Sequence, residues 1–146
     1  VEKCINTLKE YGVPTEVHVY SAHRTPDKVR EFCSKAREND FGVIIAAAGK
    51  AAHLAGACAA QTTLPIIGIP VKSSTLDGID ALLSTVQMPS GLPVATVAID
   101  GAQNAALLAL QILSVEDKGL AEKLNNARSA GADKVLAADR EIASRY

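Results

Sequence analysis

Two short stretches hold the residues with the richest chemistry. The first is Ser21-Ala22-His23-Arg24-Thr25-Pro26. An imidazole titrates near neutrality and can carry a proton in either direction. A guanidinium forks around phosphate oxygens. Thr25 is suited to cap a helix with Pro26 at its first position, and that N-terminus adds partial positive charge. The plainer alternative for the same residues is a capped turn with a solvated arginine. The second stretch is Ala46-Ala47-Ala48-Gly49-Lys50-Ala51-Ala52-His53, followed by Leu54. Its small residues let the backbone approach a flat ligand closely. It lacks the Gly-x-x-x-x-Gly-Lys-Ser/Thr spacing of a nucleotide phosphate loop. His53 either lines a site or satisfies a buried helix end. Histidines near helices pack more often than they react, which favours the second reading.

Other polar positions are less specific. Gln87-Met88-Pro89-Ser90-Gly91-Leu92-Pro93 reads as a rigid turn in which Met88 and Pro89 could wall a flat heterocycle. Lys72, Ser73 and Ser74 either reach a phosphate or form a solvated loop. His18 reads as packing or surface. The three histidines lack metal-ligand spacing, so no metal site is expected. Neither Gly-x-Ser-x-Gly nor Gly-x-Gly-x-x-Gly occurs, which weakens acyl hydrolysis and Rossmann dinucleotide binding.

The elements that must hold these stretches follow from periodicity. Residues 1–11 read as an amphipathic helix ending at Gly12, and residues 14–20 as a strand. A helix opens at Thr25 with Val29, Phe32, Cys33 and Ala36 as its buried stripe. Apolar strands are expected at 41–46, 65–69 and 94–99, and helices at about 51–60, 76–86 and 102–113. Two further helical stretches, about 116–129 and 132–144, close the chain. Strand and helix alternate, which predicts α/β architecture: a parallel sheet with helices on both faces. In such sheets ligands bind beyond the carboxyl ends of the strands. Loops 21–26, 46–53, 70–75 and 99–104 occupy that position.

Composition excludes several classes. The 146 residues include 25 alanines and only 3% aromatics, which predicts helices packed closely through small side chains. With 15 Lys+Arg against 16 Asp+Glu, broad electrostatic nucleic-acid binding is excluded, while one phosphate pocket is not. Three cysteines without Cys-x-x-Cys argue against a disulfide framework or zinc site, and Cys33 and Cys58 read as buried thiols. No apolar run is long enough to span a membrane, and no signal peptide opens the chain, so a reducing cytoplasm is expected.

Taken together, Ser21–Pro26, Ala51-Ala52-His53-Leu54-Ala55-Gly56, Gln87–Thr96 and Asn104–Ala109 resemble the PurE family of N5-carboxyaminoimidazole ribonucleotide mutases, in its bacterial class I branch. The resemblance spans nearly the whole chain. It implies a three-layer α/β/α subunit with a parallel, flavodoxin-like sheet, and an isomerase of purine biosynthesis. That isomerase moves a carboxylate from N5 to C4 of a ribonucleotide without metal, biotin or ATP. It also implies a homo-octamer in which residues 1–114 form the core and 115–146 a helical tail packing on a neighbour. His23 would transfer protons, and Arg24 would bind phosphate with Ser21 nearby. Ala47, Ala48, Gly49, Lys50, His53 and Leu54 would cradle the aminoimidazole and carboxylate. Ala47 and Lys50 stand where the family often has glycine. The family's opening strand and Gly-Ser-x-Ser-Asp loop have no counterpart in these residues, so the core is expected to be N-terminally incomplete. The alternatives are direct carboxylation of aminoimidazole ribonucleotide by CO2, and a non-catalytic nucleotide-binding or assembly module.

Overall fold

The computed structural model describes residues 1–74 and 76–146. The chain divides into two compact units, Val1–Ala109 and Leu110–Tyr146. The first opens with helix α1 (Glu2–Glu10), whose apolar face buries Cys4 and Leu8, and helix α2 (Pro26–Lys35). Strand β1 (Ile44–Gly49), helix α3 (Leu54–Ala59) and strand β2 (Ile66–Val71) follow. A 3-10 turn (Leu76–Gly78), helix α4 (Ile79–Val86), strand β3 (Ala95–Thr96) and helix α5 (Ala102–Leu113) complete the alternation. Loop 70–75 ends on Thr75, which lies outside the described residues.

The sheet is parallel in the order β1-β2-β3. Ile44 pairs with Ile66 and Gly49 with Val71, so the carboxyl ends of β1 and β2 lie side by side. Five of the six residues of β2 are buried, as a central strand covered on both faces requires. Ile44, Ala46, Ile66, Val29, Cys33, Ala36, Ala55 and Cys58 form a continuous core. In α5, Ala102, Ala105, Ala106 and Ala109 form a buried stripe at helical spacing, the close small-residue packing expected from composition. The thiols of Cys33 and Cys58 are buried and free, and hydrogen bonding to Cys33 together with burial holds Cys58 as a thiol.

Gly68 lets α3 and α4 lie this close to the sheet. A Cβ there would stand 2.4 Å from Thr85 Cγ2, 3.1 Å from Val94 Cγ1 and 3.3 Å from Ala55 Cβ. Gly68→Ala is therefore expected to destabilise the fold by about 1–3 kcal/mol, the usual cost of overpacking a tight core. Urea denaturation checks this, and an unchanged midpoint would refute it.

Several elements differ from the sequence expectation. Residues 14–20 pair with no strand among the described residues. Their alternation is strand-like: Glu16, His18 and Tyr20 share a face, His18 bonding Glu16 and stacking on Tyr20 with ring centroids 4.7 Å apart. Val17 and Val19 point the other way, 58% and 97% exposed. Alternation sets the faces, but only a neighbouring backbone makes a ladder. The third strand shrinks from the expected 94–99 to two residues. Pro70 has no N–H to donate toward β3, so regular pairing stops, and the Asp100 N–H bonds the Pro70 carbonyl instead at 2.9 Å.

Helix α3 begins at Leu54, later than expected, because Ala51–His53 form a turn closed by His53 N–H bonding the Ala51 carbonyl at 2.9 Å. Helix α4 begins at Ile79 after Gly78, whose φ of +96° is not helical. In the second unit the two expected tail helices are one, α6 (Lys118–Ala143), capped by the Asp117 side chain, which accepts from Leu120 N–H at 2.9 Å. One interior glycine, Gly131, costs about 1 kcal/mol relative to alanine and is outweighed by the helix formers around it.

Candidate functional site

At the carboxyl end of β1 lies a cavity of about 390 Å³. Its walls are Tyr20–Arg24 from the loop before α2, Ala47–Ala51 from the end of β1 and the turn after it, and His53 and Leu54 at the start of α3. Every residue expected to bind or react therefore lines one cavity, except Met88 and Pro89. Neither of these is among its lining residues. The Met88 Sδ instead lies over Gly56, 3.1 Å from where a Cβ would project. Lys72 also lies outside the lining, its Nζ 3.2 Å from Asp77 Oδ1.

The loop carrying His23 is braced by two hydroxyls. Ser21 N–H donates to Thr25 Oγ1 at 2.8 Å, and Thr25 Oγ1 donates to the Ser21 carbonyl at 3.2 Å. Arg24 N–H donates to Ser21 Oγ at 3.2 Å. Thr25 holds the N-cap position, yet its side chain caps nothing, contrary to expectation, because that hydroxyl closes the loop. The backbone under His23 and Arg24 is thus fixed while both side chains stay exposed.

The central contact joins the two stretches. His23 Nε2 and His53 Nδ1 are 2.9 Å apart, and the rings meet edge to face at 85°. One nitrogen must donate and the other accept, so the pair shares a hydrogen, and each ring orients the other. His53 occupies the N-cap of α3 but forms no side-chain cap bond. Its imidazole faces the cavity rather than the helix end that sequence reasoning favoured. The missed signal was distance: His23 and His53 are 30 residues apart, and no local pattern pairs them. Behind His53, buried Thr85 braces the preceding turn, its Oγ1 bonding the Ala81 carbonyl at 2.7 Å and approaching the Ala52 carbonyl at 3.5 Å.

Between the histidines the wall is methyl and backbone: Ala47, Ala48, Gly49 and Ala51. A Cβ at Gly49 would fit tightly there, 3.1 Å from the Val71 carbonyl oxygen. The cavity thus brings together a hydrogen-bonded imidazole pair, an arginine and a wall of small residues. Among the described residues, no group of three or more His, Cys, Asp or Glu could hold a metal ion. Among them, too, no helix is long and apolar enough to cross a membrane.

Residues 1–134 match the AIR carboxylase family. The chain is 56% identical over 124 residues to the N5-carboxyaminoimidazole ribonucleotide mutase of Pyrococcus horikoshii, covering 85% of this chain and 70% of that protein. It is 56% identical over 127 residues to the mutase of Escherichia coli K12, covering 86% and 75%. It is 54% identical over 137 residues to that of Bacillus subtilis, covering 92% and 85%. The crystal structure of Treponema denticola PurE superposes with a TM-score of 0.88 at 30% identity, over 96% of this chain and 87% of that one.

Proposed function

Because the chain belongs to the AIR carboxylase family, we propose that it is an isomerase converting N5-carboxyaminoimidazole ribonucleotide to 4-carboxyaminoimidazole ribonucleotide. The observation that carries this reading is the extended identity to proteins named as that mutase, and the His23–His53 pair supports it.

His23 protonates the carbamate nitrogen as the N–C bond breaks, and CO2 is released into the cavity. The electron-rich C4 of the imidazole attacks CO2 and forms the new C–C bond. His23 then removes the C4 proton, restoring aromaticity. One imidazole returns to its starting state, so the cycle balances without an external acid or base. His53 holds the His23 ring in place through both steps. The methyl-lined wall keeps CO2 close to C4, replacing a bimolecular encounter with proximity. Arg24 binds the ribonucleotide phosphate, with Ser21 beside it and the N-terminus of α2 adding favourable potential. Leu54 and the Ala47–Gly49 backbone cradle the heterocycle. The protein works in the cytoplasm as a homo-octamer, its residues 115–146 packing on a neighbouring subunit. Exposed Val135, Leu136 and Ile142 on α6 suit that burial.

The purified protein is expected to convert N5-carboxyaminoimidazole ribonucleotide without ATP or bicarbonate, and to elute at the mass of eight subunits. Turnover only of aminoimidazole ribonucleotide with bicarbonate would make it a direct carboxylase. Binding without turnover of either substrate would make it a non-catalytic module.

A further inference from the structure

The permanent charges lining the cavity are of one sign only. Its lining holds two permanent cations, Arg24 and Lys50, and neither Asp nor Glu. Among the described residues neither cation has a carboxylate at ion-pair distance, whereas Lys28, Arg30, Lys35 and Lys72 each have one. The two reach the cavity from different loops, Arg24 from before α2 and Lys50 from the turn after β1.

The backbone at Lys50 is unusual. Its φ of +54° lies in the left-handed region that favours glycine. The turn follows directly on the end of the ladder, where Gly49 pairs with Val71 and a Cβ would stand 3.1 Å from the Val71 carbonyl oxygen. A lysine held in a glycine conformation, unpaired, at the wall of a cavity is the kind of strain that accumulates at ligand sites. A side chain there has no packing role, since Lys50 is exposed.

We propose that Lys50 is the second anion-recognition residue of this site, binding the migrating carboxylate while Arg24 binds the phosphate. The inference rests on the function proposed above and deepens it. Lys50 forms no covalent bond. It belongs to the same loop as His53, so a carboxylate held by its ammonium stays beside the His23–His53 pair. Both the carbamate and the C4 acid carry that carboxylate, so Lys50 binds substrate and product alike.

Two ribonucleotides separate the roles: 4-carboxyaminoimidazole ribonucleotide and aminoimidazole ribonucleotide, identical except for the carboxylate. Lys50→Gln is expected to weaken binding of the first about tenfold and of the second by less than about twofold, as loss of one charge-assisted contact to the carboxylate requires. Lys50→Arg should restore most of the difference. Lys50→Gly should lose the same discrimination while raising Tm by about 3 °C, because glycine relieves the left-handed backbone. Equal weakening of both ribonucleotides would place Lys50 at the phosphate and overturn the proposal, as would no weakening of either. Discrimination retained in Lys50→Gly would also overturn it. If the unaltered protein binds neither ribonucleotide, the proposed function itself fails. If it binds and turns over substrate normally while Lys50→Gln does the same, only the role of Lys50 fails.

Discussion

His23→Asn is expected to lower turnover of N5-carboxyaminoimidazole ribonucleotide by roughly 10²–10⁴-fold, the span over which a positioned general acid–base contributes. Asparagine is too short to keep the contact that His23 Nε2 makes with His53 Nδ1 at 2.9 Å, but the loop is braced by Ser21 and Thr25, so the local fold should survive. It cannot gain or lose a proton near neutrality. In the proposed mechanism the same residue serves both halves of the reaction, protonating N5 and deprotonating C4, so both steps should fail together. Binding should persist, because the proposed phosphate and ring contacts are assigned to other residues lining the cavity. Isothermal titration with 4-carboxyaminoimidazole ribonucleotide, alongside steady-state rates, separates the two. Turnover within about tenfold of the unaltered enzyme would remove His23 from the chemistry. His53→Ala is the companion variant. It leaves the His23 proton in place but releases the ring, and misorientation of a reacting group costs up to about 10²-fold. An effect as large as that of His23→Asn would mean that the two imidazoles exchange roles.

Arg24→Ala should act on the other side of the ledger, raising KM about 10–100-fold with kcat changed far less, as loss of a charged, forked contact to phosphate predicts. The loop should keep its shape, since its braces are the Ser21 and Thr25 hydroxyls and the Arg24 backbone N–H rather than the guanidinium. Arg24→Lys should recover part of the affinity but not the bidentate geometry. The side chain is exposed, so the KM of the unaltered enzyme should rise with ionic strength, and that rise should flatten in Arg24→Ala. An unchanged KM would exclude Arg24 from phosphate binding.

Both variants probe residues legible before any fold was known. Ser21–Pro26 combines an imidazole, a guanidinium and a helix start in six positions, and Ala46–His53 follows an apolar strand with small residues. Such signals are local. The role of His53 was less legible, because a histidine beside a helix start reads as a cap until its partner is visible. The partner is 30 residues away on another loop. The role of Thr25 shifted for a similar reason: its hydroxyl had two possible acceptor sets, and the loop backbone, not the helix end, was within reach. Met88 read as a cavity wall from its proline-flanked turn, yet its sulfur is seated on Gly56.

The type and order of the elements were set by the chain alone, because helix and strand preferences depend on neighbours within a turn or two. Alternating segments, the proline start of α2 and the small-residue end of β1 all belong to that class. Which elements acquire partners depends on segments far apart in sequence. Residues 14–20 alternate like a strand and pair with nothing described, β3 stops where Pro70 lacks an N–H, and two expected helices run together as α6. The same holds for the chemistry. Residue types marked His23, Arg24 and Lys50 as reactive or charged, but only packing of the strand ends brought them to one cavity and set His23 against His53. A hydrogen bond between side chains is a property of two backbones in space, and no local pattern encodes the distance between them.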